Sequence, residues 1–238
     1  YLGIMPPDEA VSRYFQKDMD LQCLSYTDIA CITYSKEILA DWFCEKLLNT
    51  TITKIFDLIR NISNIEDVLP SNIPQFSNLE DAYLNTPKIL DLSGQLMSYD
   101  ELGIYLDNGK DKKKGAQRKY GENHSKLATL LDLVVITKHN NSYKVAISVF
   151  GRAFNKRNDD EKKKLTARLL MRIPIIQKIL IGAQKSEVDI EEELTCLSKQ
   201  TKKRRKPNIA TLLQFISDEA EEESNIMREV FDNIKGWK

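Results

Sequence analysis

Several features on which catalytic or secreted proteins depend are scarce in this chain of 238 residues. Nine Gly and seven Pro are too few for extensive disorder. No apolar run reaches the roughly 18 residues that a membrane-spanning helix needs, and no signal-peptide pattern is present. The four cysteines form no CxxC pair, so their spacing excludes a zinc finger. They favour buried, reduced thiols in a cytoplasmic protein.

Residue patterns typical of catalytic sites are also missing. The two histidines, His124 and His139, fall in separate predicted elements. Metal-dependent nucleases bring two or three carboxylates together on Mg²⁺, and Pro7-Asp8 has no such partner pattern. Neither a Gly-rich phosphate loop nor a GxSxG sequence is found. We therefore expect no catalytic residue, metal or cofactor within this chain, with Mg²⁺ required only if a nuclease domain belongs to the full protein.

What the chain does contain favours a mainly α fold with a strongly uneven charge. Hydrophobic residues make up 42% and charged residues 29%, which suits a soluble protein with a core. The net charge is zero, yet residues 110–178 hold 18 of the 35 Lys and Arg but 6 of the 35 Asp and Glu. This asymmetry predicts a middle region that faces a polyanion, with a solvated basic surface as the plain alternative.

Residues 98–149 carry the most informative order of elements. Ser98 and Glu101 form a capping-box pattern at the start of a helix. A cationic turn follows, then a helix over about 116–131, then two β-branched runs joined at Asn140 and its neighbours, since Asn tolerates positive φ. Helix, turn, helix, hairpin is the order of a winged helix. Gly121 weakens the second helix by roughly 1 kcal/mol relative to Ala and predicts a break or bend there.

A helix in the major groove of DNA needs Arg to read guanine, Asn to read adenine and Lys to neutralise phosphate. The second helix, the turn before it and the hairpin supply such residues. The candidate DNA-binding residues of this module are Lys112, Lys113, Lys114, Arg118, Lys119, Asn123, His124, Lys126, Asn140 and Lys144.

A similar order of helices is predicted again after residue 173, with helices over 173–180 and 187–197 and without a hairpin. We predict three parts: a helical N-terminal region over 1–78, a first winged-helix module over 79–172, and a second, winged-helix-like module over 173–238 with an acidic C-terminal helix. In the last, residues 202–206 read KKRRK and are predicted to form a turn before a helix over 207–217. Lys203, Arg204 and Arg205 in this turn are predicted to contact phosphate.

The segments GAQRKYGENHSKLATLLDLVVI and DDEKKKLTARLLMRIPIIQKIL resemble the winged-helix DNA-recognition regions of type II, FokI-like restriction endonucleases. The resemblance covers about residues 85–215 and includes residues 131–134, 148–151 and 172–174, with Asp132 where the family has a turn Gly. It implies the recognition portion of such an enzyme, whose cleavage domain is separate. A chain that starts at Tyr1 rather than Met is compatible with that portion.

Two other functions fit the same residues. A stand-alone transcription or replication regulator would use the same modules on DNA, and a winged helix can also bind a protein partner. Double-stranded DNA is the expected partner, with a homodimer left open and no membrane partner expected. A cytoplasmic location is expected for each of these functions.

Overall fold

The computed structural model describes residues 7–16, 36–62, 67–107, 113–140, 142–220 and 225–237. Helices make up most of this part of the chain, so the prediction of a mainly α fold is confirmed. The chain divides into two compact units. The described residues of the first unit are 36–45, 75–107, 113–140 and 142–162, and those of the second are 7–16, 46–62, 67–74, 163–220 and 225–237.

The first unit contains a mixed series of helices and short strands. A π-helical turn over residues 81–85 leads directly into the next helix. The helix over residues 36–48 begins in this unit and ends in the other one. The elements are α2 (Lys36–Leu48), the turn Asp81–Asn85, α4 (Thr86–Ser93), β1 (Met97–Ser98), α5 (Tyr99–Asp107), α6 (Lys114–Leu130), β2 (Val134–His139), β3 (Ser142–Ile147) and α7 (Val149–Asn155).

Three antiparallel strands form the sheet of this unit, in the order β1-β3-β2. Met97 lies opposite Val145, and β2 pairs with β3 from Val134 opposite Ile147 to His139 opposite Ser142. Asn140 at the tip has a φ of 46°, so the predicted hairpin and its positive-φ asparagine are confirmed. The two-residue β1 is too short to be visible in the sequence, because its identity as a strand depends on β3.

The predicted helix caps of the first unit are also present. The amide of Glu101 donates to the Ser98 hydroxyl at 3.2 Å, and the Ser98 amide donates to the Glu101 carboxylate at 2.6 Å. These two bonds complete the capping box. The Ser148 hydroxyl accepts from the Gly151 amide at 2.7 Å and caps α7. Each cap satisfies amides that the first turn of a helix leaves without a partner.

Gly121 does not break the second helix, because α6 continues through it. A Cβ at Gly121 would lie 2.1 Å from the Tyr99 carbonyl oxygen, and one at Gly103 would lie 1.9 Å from that of Gln117. The backbones of α5 and α6 therefore touch at two glycines. The predicted break is wrong, since glycine serves here to allow the close approach of two helices.

The second unit is built from helices around a core that includes Ile55, Phe56, Leu169 and Leu213. Its two short strands pair in parallel, with Val188 opposite Ile234. The elements are α1 (Pro7–Phe15), α3 (Ile52–Arg60), a 3₁₀ turn (Pro70–Asn72), α8 (Asp159–Leu170), which begins in the first unit, α9 (Pro174–Ala183), β4 (Val188–Asp189), α10 (Ile190–Glu193), α11 (Lys199–Ala220), α12 (Asn225–Asp232) and β5 (Ile234–Lys235).

Two predictions for the second unit are wrong. The basic run 202–206 is no turn but lies within α11, which begins at Lys199 and continues through Pro207. Lys and Arg are good helix formers, so they extend the helix on the N-terminal side of a proline that the sequence alone suggested as its start. The helix predicted over 187–197 is instead β4 followed by the short α10.

The thiol prediction holds for one of the two described cysteines. Cys44 is buried, and burial raises its pKa to about 12, so it stays a protonated thiol. Cys196 is exposed, which contradicts the expectation that it is buried. Cys23 and Cys31 lie outside the described residues.

Candidate nucleic-acid interface

The solvent-facing side of α6 carries a ladder of polar and cationic residues. Lys114, Arg118, Glu122 and Lys126 follow one another at intervals of four residues, and such residues share a face of a helix. Arg118, Lys119 and Lys126 are exposed, and Asn123 is half-buried beside them. Residues 113–130 contain five cations against one carboxylate, so this face of the helix is net positive.

Glu122 is the single carboxylate of α6, and it holds two of the lysines. Its carboxylate lies 3.0 Å from the Lys119 ammonium and 2.6 Å from that of Lys126. Burial raises the pKa of Glu122, but hydrogen bonds from Lys126 and Lys119 outweigh it and leave the pKa below its ordinary value. Glu122 is therefore ionised at neutral pH and fixes the lysines one turn to either side of it.

The first turn of α5 connects the hairpin to α6. The ring of Tyr99 stacks on that of Tyr143 from β3, with centroids 5.9 Å apart and planes inclined by 20°. Its neighbour Asp100 lies 4.0 Å from the Arg118 guanidinium of α6. The next residue, Glu101, lies 3.4 Å from the Lys144 ammonium of β3. Three consecutive residues thus hold α6 and the hairpin side by side as one surface.

The inner side of α6 is anchored by a polar cluster. The Tyr120 hydroxyl donates to the buried Asp81 carboxylate, which also accepts from the Asn85 amide at 2.7 Å. Burial, followed by the hydrogen bond to Asp81, raises the pKa of Tyr120 to about 12. The Tyr120 ring lies 4.1 Å from that of His124, centroid to centroid. Tyr120 therefore faces inward, and this contact fixes the rotation of α6 about its axis.

The position of His124 contradicts its prediction as a DNA-binding residue. Its side chain is 0% exposed, and its Nδ1 lies 2.8 Å from the Tyr120 carbonyl oxygen. One turn of α6 places it on the same inner side as Tyr120, away from solvent. The sequence suggested a contact because His124 lies between two polar residues, but the packing of α6 against the rest of the unit decides the side.

The remaining predicted residues of this module divide into three groups. Lys113 and Lys114 are exposed at the N-terminus of α6, where the helix dipole favours anions. Asn140 is exposed at the hairpin tip, and Lys144 is half-buried next to Glu101. Lys112 lies outside the described residues.

A second cationic surface lies on the N-terminal half of α11 in the other unit. Lys203 and Arg204 are exposed, and Arg205 is half-buried. Burial first, and then the charge of Arg204, lowers the pKa of Arg205. Lys206 lies 3.8 Å from the Asp189 carboxylate of β4. These cations meet the geometric need for phosphate contact, which is exposure on a regular element.

Tyr143 and Asp100 belong to the surface and were missed in the sequence. Tyr143 falls in a strand pattern, where alternation suggests that it shares the buried face with Val145. It lies at the end of that face, and half of the residue stays exposed. The register that the Asn140 turn imposes could have indicated this, because it places Tyr143 opposite Lys138, next to the hairpin tip.

Within the described ranges, no group of three or more His, Cys, Asp or Glu side chains could hold a metal ion. No helix among the described residues is long and apolar enough to cross a membrane. No family model, curated protein or solved structure matches this chain.

Proposed function

We propose that the chain binds double-stranded DNA through α6 and the β2–β3 hairpin, and that α4 to β3 form a winged helix. The order of elements supports this proposal, since a helix, a short strand, two helices and a hairpin follow one another. The first strand pairs with the last to give the sheet order β1-β3-β2. In such a module the second helix of the pair enters the major groove and the hairpin contacts the flanking DNA.

The observation that carries the proposal is the joining of two cationic elements by the first turn of α5. Tyr99, Asp100 and Glu101 each contact a residue of α6 or the hairpin, so both elements face a ligand together. A rigid surface of this kind can read base edges, because contacts to bases require fixed donors and acceptors. A solvated basic patch needs no such support from its neighbours.

Within this surface each side chain has a separate role. Arg118 is exposed and suited to bidentate contact with guanine, and Asn123, five residues later, suits adenine. Lys113, Lys114, Lys119 and Lys126 contact phosphates on either side of the groove, and Asn140 and Lys144 do so from the hairpin. Asp100 and Glu122 hold the neighbouring cations in position. Their own negative charges repel additional phosphate at the centre of the surface.

The second unit contributes a further contact with phosphate through α11. Helix α9, strand β4 and helices α10 and α11 repeat the order of α4, β1, α5 and α6, with cations again in the first half of the last helix. In place of a hairpin, helix α12 and strand β5 follow. Lys203, Arg204 and Arg205 therefore add affinity, whereas sequence preference comes from the first unit.

The wider role that we propose is the recognition portion of a type II restriction endonuclease in the cytoplasm. One support is Asp132, whose φ of 58° supplies the left-handed turn that a glycine supplies at this place in that family. Another is Pro174, which begins α9 as the resemblance implies. An adjacent gene for a DNA methyltransferase would support this role over that of a stand-alone regulator.

A protein partner is the second candidate, and one observation favours it. Ile104 and Tyr105 of α5 are both more than half exposed. Apolar side chains that neighbour each other on a surface are typical of protein contacts. Ile104 and Tyr105 lie one turn beyond Asp100 and Glu101 and are not among the proposed DNA contacts, so the two candidates predict effects of different mutations.

The salt dependence of binding to random-sequence duplex tests the proposed function. The logarithm of the association constant should fall linearly with the logarithm of salt concentration, by about 0.9 per phosphate contacted. Replacing Ile104 and Tyr105 by Ser should leave this line unchanged. A flat response in the wild-type protein would reject DNA binding, and pull-down of one defined protein, abolished by the Ile104 and Tyr105 changes, would favour the second candidate.

A further inference from the structure

We propose that Tyr143 stacks on an unpaired base, so that the preferred ligand is duplex DNA in which one base is unpaired beside the surface of α6. This inference rests on the proposed function and names the feature of the DNA that the hairpin recognises. Tyr143 was not among the residues that the sequence suggested, and its position follows from the contacts of β3 with α5.

The Tyr143 ring is anchored on one side and open on another. It stacks against Tyr99, which is buried, while 50% of Tyr143 itself remains exposed. A tyrosine held by a stack has lost most of its freedom before a ligand arrives, so binding a second flat group costs little further entropy. The pair Tyr99–Tyr143 therefore forms a ready platform at the edge of the surface.

Two ion pairs join α5 to the elements on either side of this platform. Lys144 follows Tyr143 in β3 and is held by Glu101, and Arg118 is held by Asp100, the neighbour of Tyr99. An exposed aromatic ring beside a cationic surface is the arrangement with which proteins bind single-stranded nucleic acid, since the ring takes a base and the cations take its phosphates. Lys144 and Arg118 are each paired with a carboxylate, so the attraction for phosphate comes from α6, where residues 113–130 contain five cations against one carboxylate. This excess of positive charge favours a nucleic acid over an apolar segment.

The need for a free base face determines which form of nucleic acid the Tyr143 ring can bind. In an intact duplex the faces of each base are covered by neighbouring bases, and a protein ring meets only edges and sugars. A base face becomes available when the base is unpaired, and taking such a base costs least when it is already unpaired in the free DNA. The cationic face of α6 takes the paired segment, and Tyr143 takes the base next to it.

The experiment compares the affinity for a fully paired duplex with that for the same duplex carrying one unpaired 2-aminopurine. The wild-type protein should bind the second duplex roughly tenfold more tightly, as expected for one base stacked on an aromatic ring. The 2-aminopurine fluorescence should be quenched on binding. Y143F, which keeps the ring, should retain both the preference and the quenching.

Y143L and Y105A provide the decisive comparison. Y143L keeps an apolar contact with Tyr99 but has no ring face, so it should bind both duplexes equally and leave the fluorescence unquenched. Y105A removes another exposed tyrosine of the same unit and should behave as wild type. Thermal melting of each variant reports whether the fold is retained, and Y143V, which also lacks a ring and suits a strand, takes the place of Y143L if that variant is unfolded.

The outcomes separate this inference from the proposed function. Salt-dependent binding with equal affinity for the two duplexes would overturn the role of Tyr143 while leaving DNA binding intact. A preference that persists in folded Y143L, or is lost in folded Y143F, would also overturn it. Absence of salt-dependent binding to either duplex would reject both proposals together.

Discussion

Helices α6 and α11 are both cationic in their first half, yet their surroundings differ. Helix α6 touches α5 at Gly121, carries Glu122 among its lysines and is connected to the hairpin through the first turn of α5. Residues 199–208 of α11 contain six cations and no carboxylate, and the helix contains no glycine. The comparison teaches that charge gives a surface attraction for DNA, whereas neighbouring elements that fix the cations give it the means to discriminate.

We expect the largest effect at the close contact of α6 with α5 at Gly121, a kind of contact for which α11, without a glycine, has no equivalent. Gly121→Ala places a methyl group against the Tyr99 carbonyl oxygen, 2.1 Å away, so α5 and α6 must separate. We expect a loss of roughly 3 kcal/mol in the free energy of unfolding, measured by urea denaturation.

Gly115→Ala in the same helix is the matched control, because a Cβ there meets no atom within 4 Å. It should stabilise the protein by about 0.5 kcal/mol, as alanine restricts the unfolded chain. Equal stability of the two variants would mean that the close contact of α5 and α6 is incorrect.

The next effect concerns specificity at α6. Arg118→Ala and Asn123→Ala should each cost roughly 2 kcal/mol on a specific site and less on random duplex, because a contact with a base edge is lost. Competition binding with both DNAs measures this difference. Arg152→Ala is the control: Arg152 is half exposed and lies 3.8 Å from Asp91, much as Arg118 lies near Asp100, but it belongs to α7. Equal losses on specific and random DNA would reject base reading by α6.

A smaller and uniform effect is expected at α11. The double change Lys203→Ala and Arg204→Ala should weaken binding to specific and random duplexes alike and lower the log–log salt slope by about 1 for each phosphate contact removed. Lys185→Ala, at an exposed position in the same unit, should leave the slope unchanged. If the double variant instead altered the ratio of specific to random affinity, the assignment of α11 to phosphate contact alone would fail.

The smallest expected effect concerns the pH dependence of stability that comes from the side chains at the start of one helix in each unit, α5 and α11. The hydrogen bonds from the Ser98 amide and hydroxyl lower the pKa of Glu101 below its ordinary value of 4.5. A lowered pKa in the folded state stabilises the protein above the ordinary value, and this contribution is lost as the pH falls through the folded value. Urea denaturation of Glu101→Gln should therefore show a weaker loss of stability below pH 4.5 than the wild-type protein shows.

Ser198→Ala tests the same point in the second unit. The Ser198 hydroxyl hydrogen-bonds with that of Thr201 at the start of α11, at 3.0 Å, and neither group titrates in this range. The stability lost in this variant should be the same at neutral and acidic pH. A pH-dependent loss would show that a carboxylate takes part in the start of α11.

Local signals in the sequence were sufficient for much of the first unit. The capping residues Ser98 and Ser148 and the turn at Asn140 act within a few residues, so their chemistry can be read directly. In α3 of the second unit, the helical spacing of Ile52, Ile55, Phe56 and Ile59 likewise indicates the side that is buried. In the caps and the turn, the hydrogen-bonding or conformational requirement is met within a few residues of the same segment.

The structural features that the sequence could not indicate depend on contacts between residues far apart in the chain. Gly121 is a weak helix residue by itself and acquires its role from Tyr99 on another helix. His124 lies among polar residues, but the contact of Tyr120 with Asp81 turns it inward. Strands of two residues such as β1 and β4 are defined by the strands they pair with. Tyr143 could not be recognised in the sequence either, because its place in the candidate surface depends on its contact with Tyr99 of α5.

Selection from a random duplex library tests most directly the central claim that α6 and the hairpin read DNA sequence. We predict that wild-type protein enriches one motif, that Arg118→Ala loses enrichment at one position of it, and that the double change at Lys203 and Arg204 lowers recovery without changing the motif. A pool that remains random after repeated rounds with the wild-type protein, or a motif unaffected by Arg118→Ala and Asn123→Ala, would contradict the account.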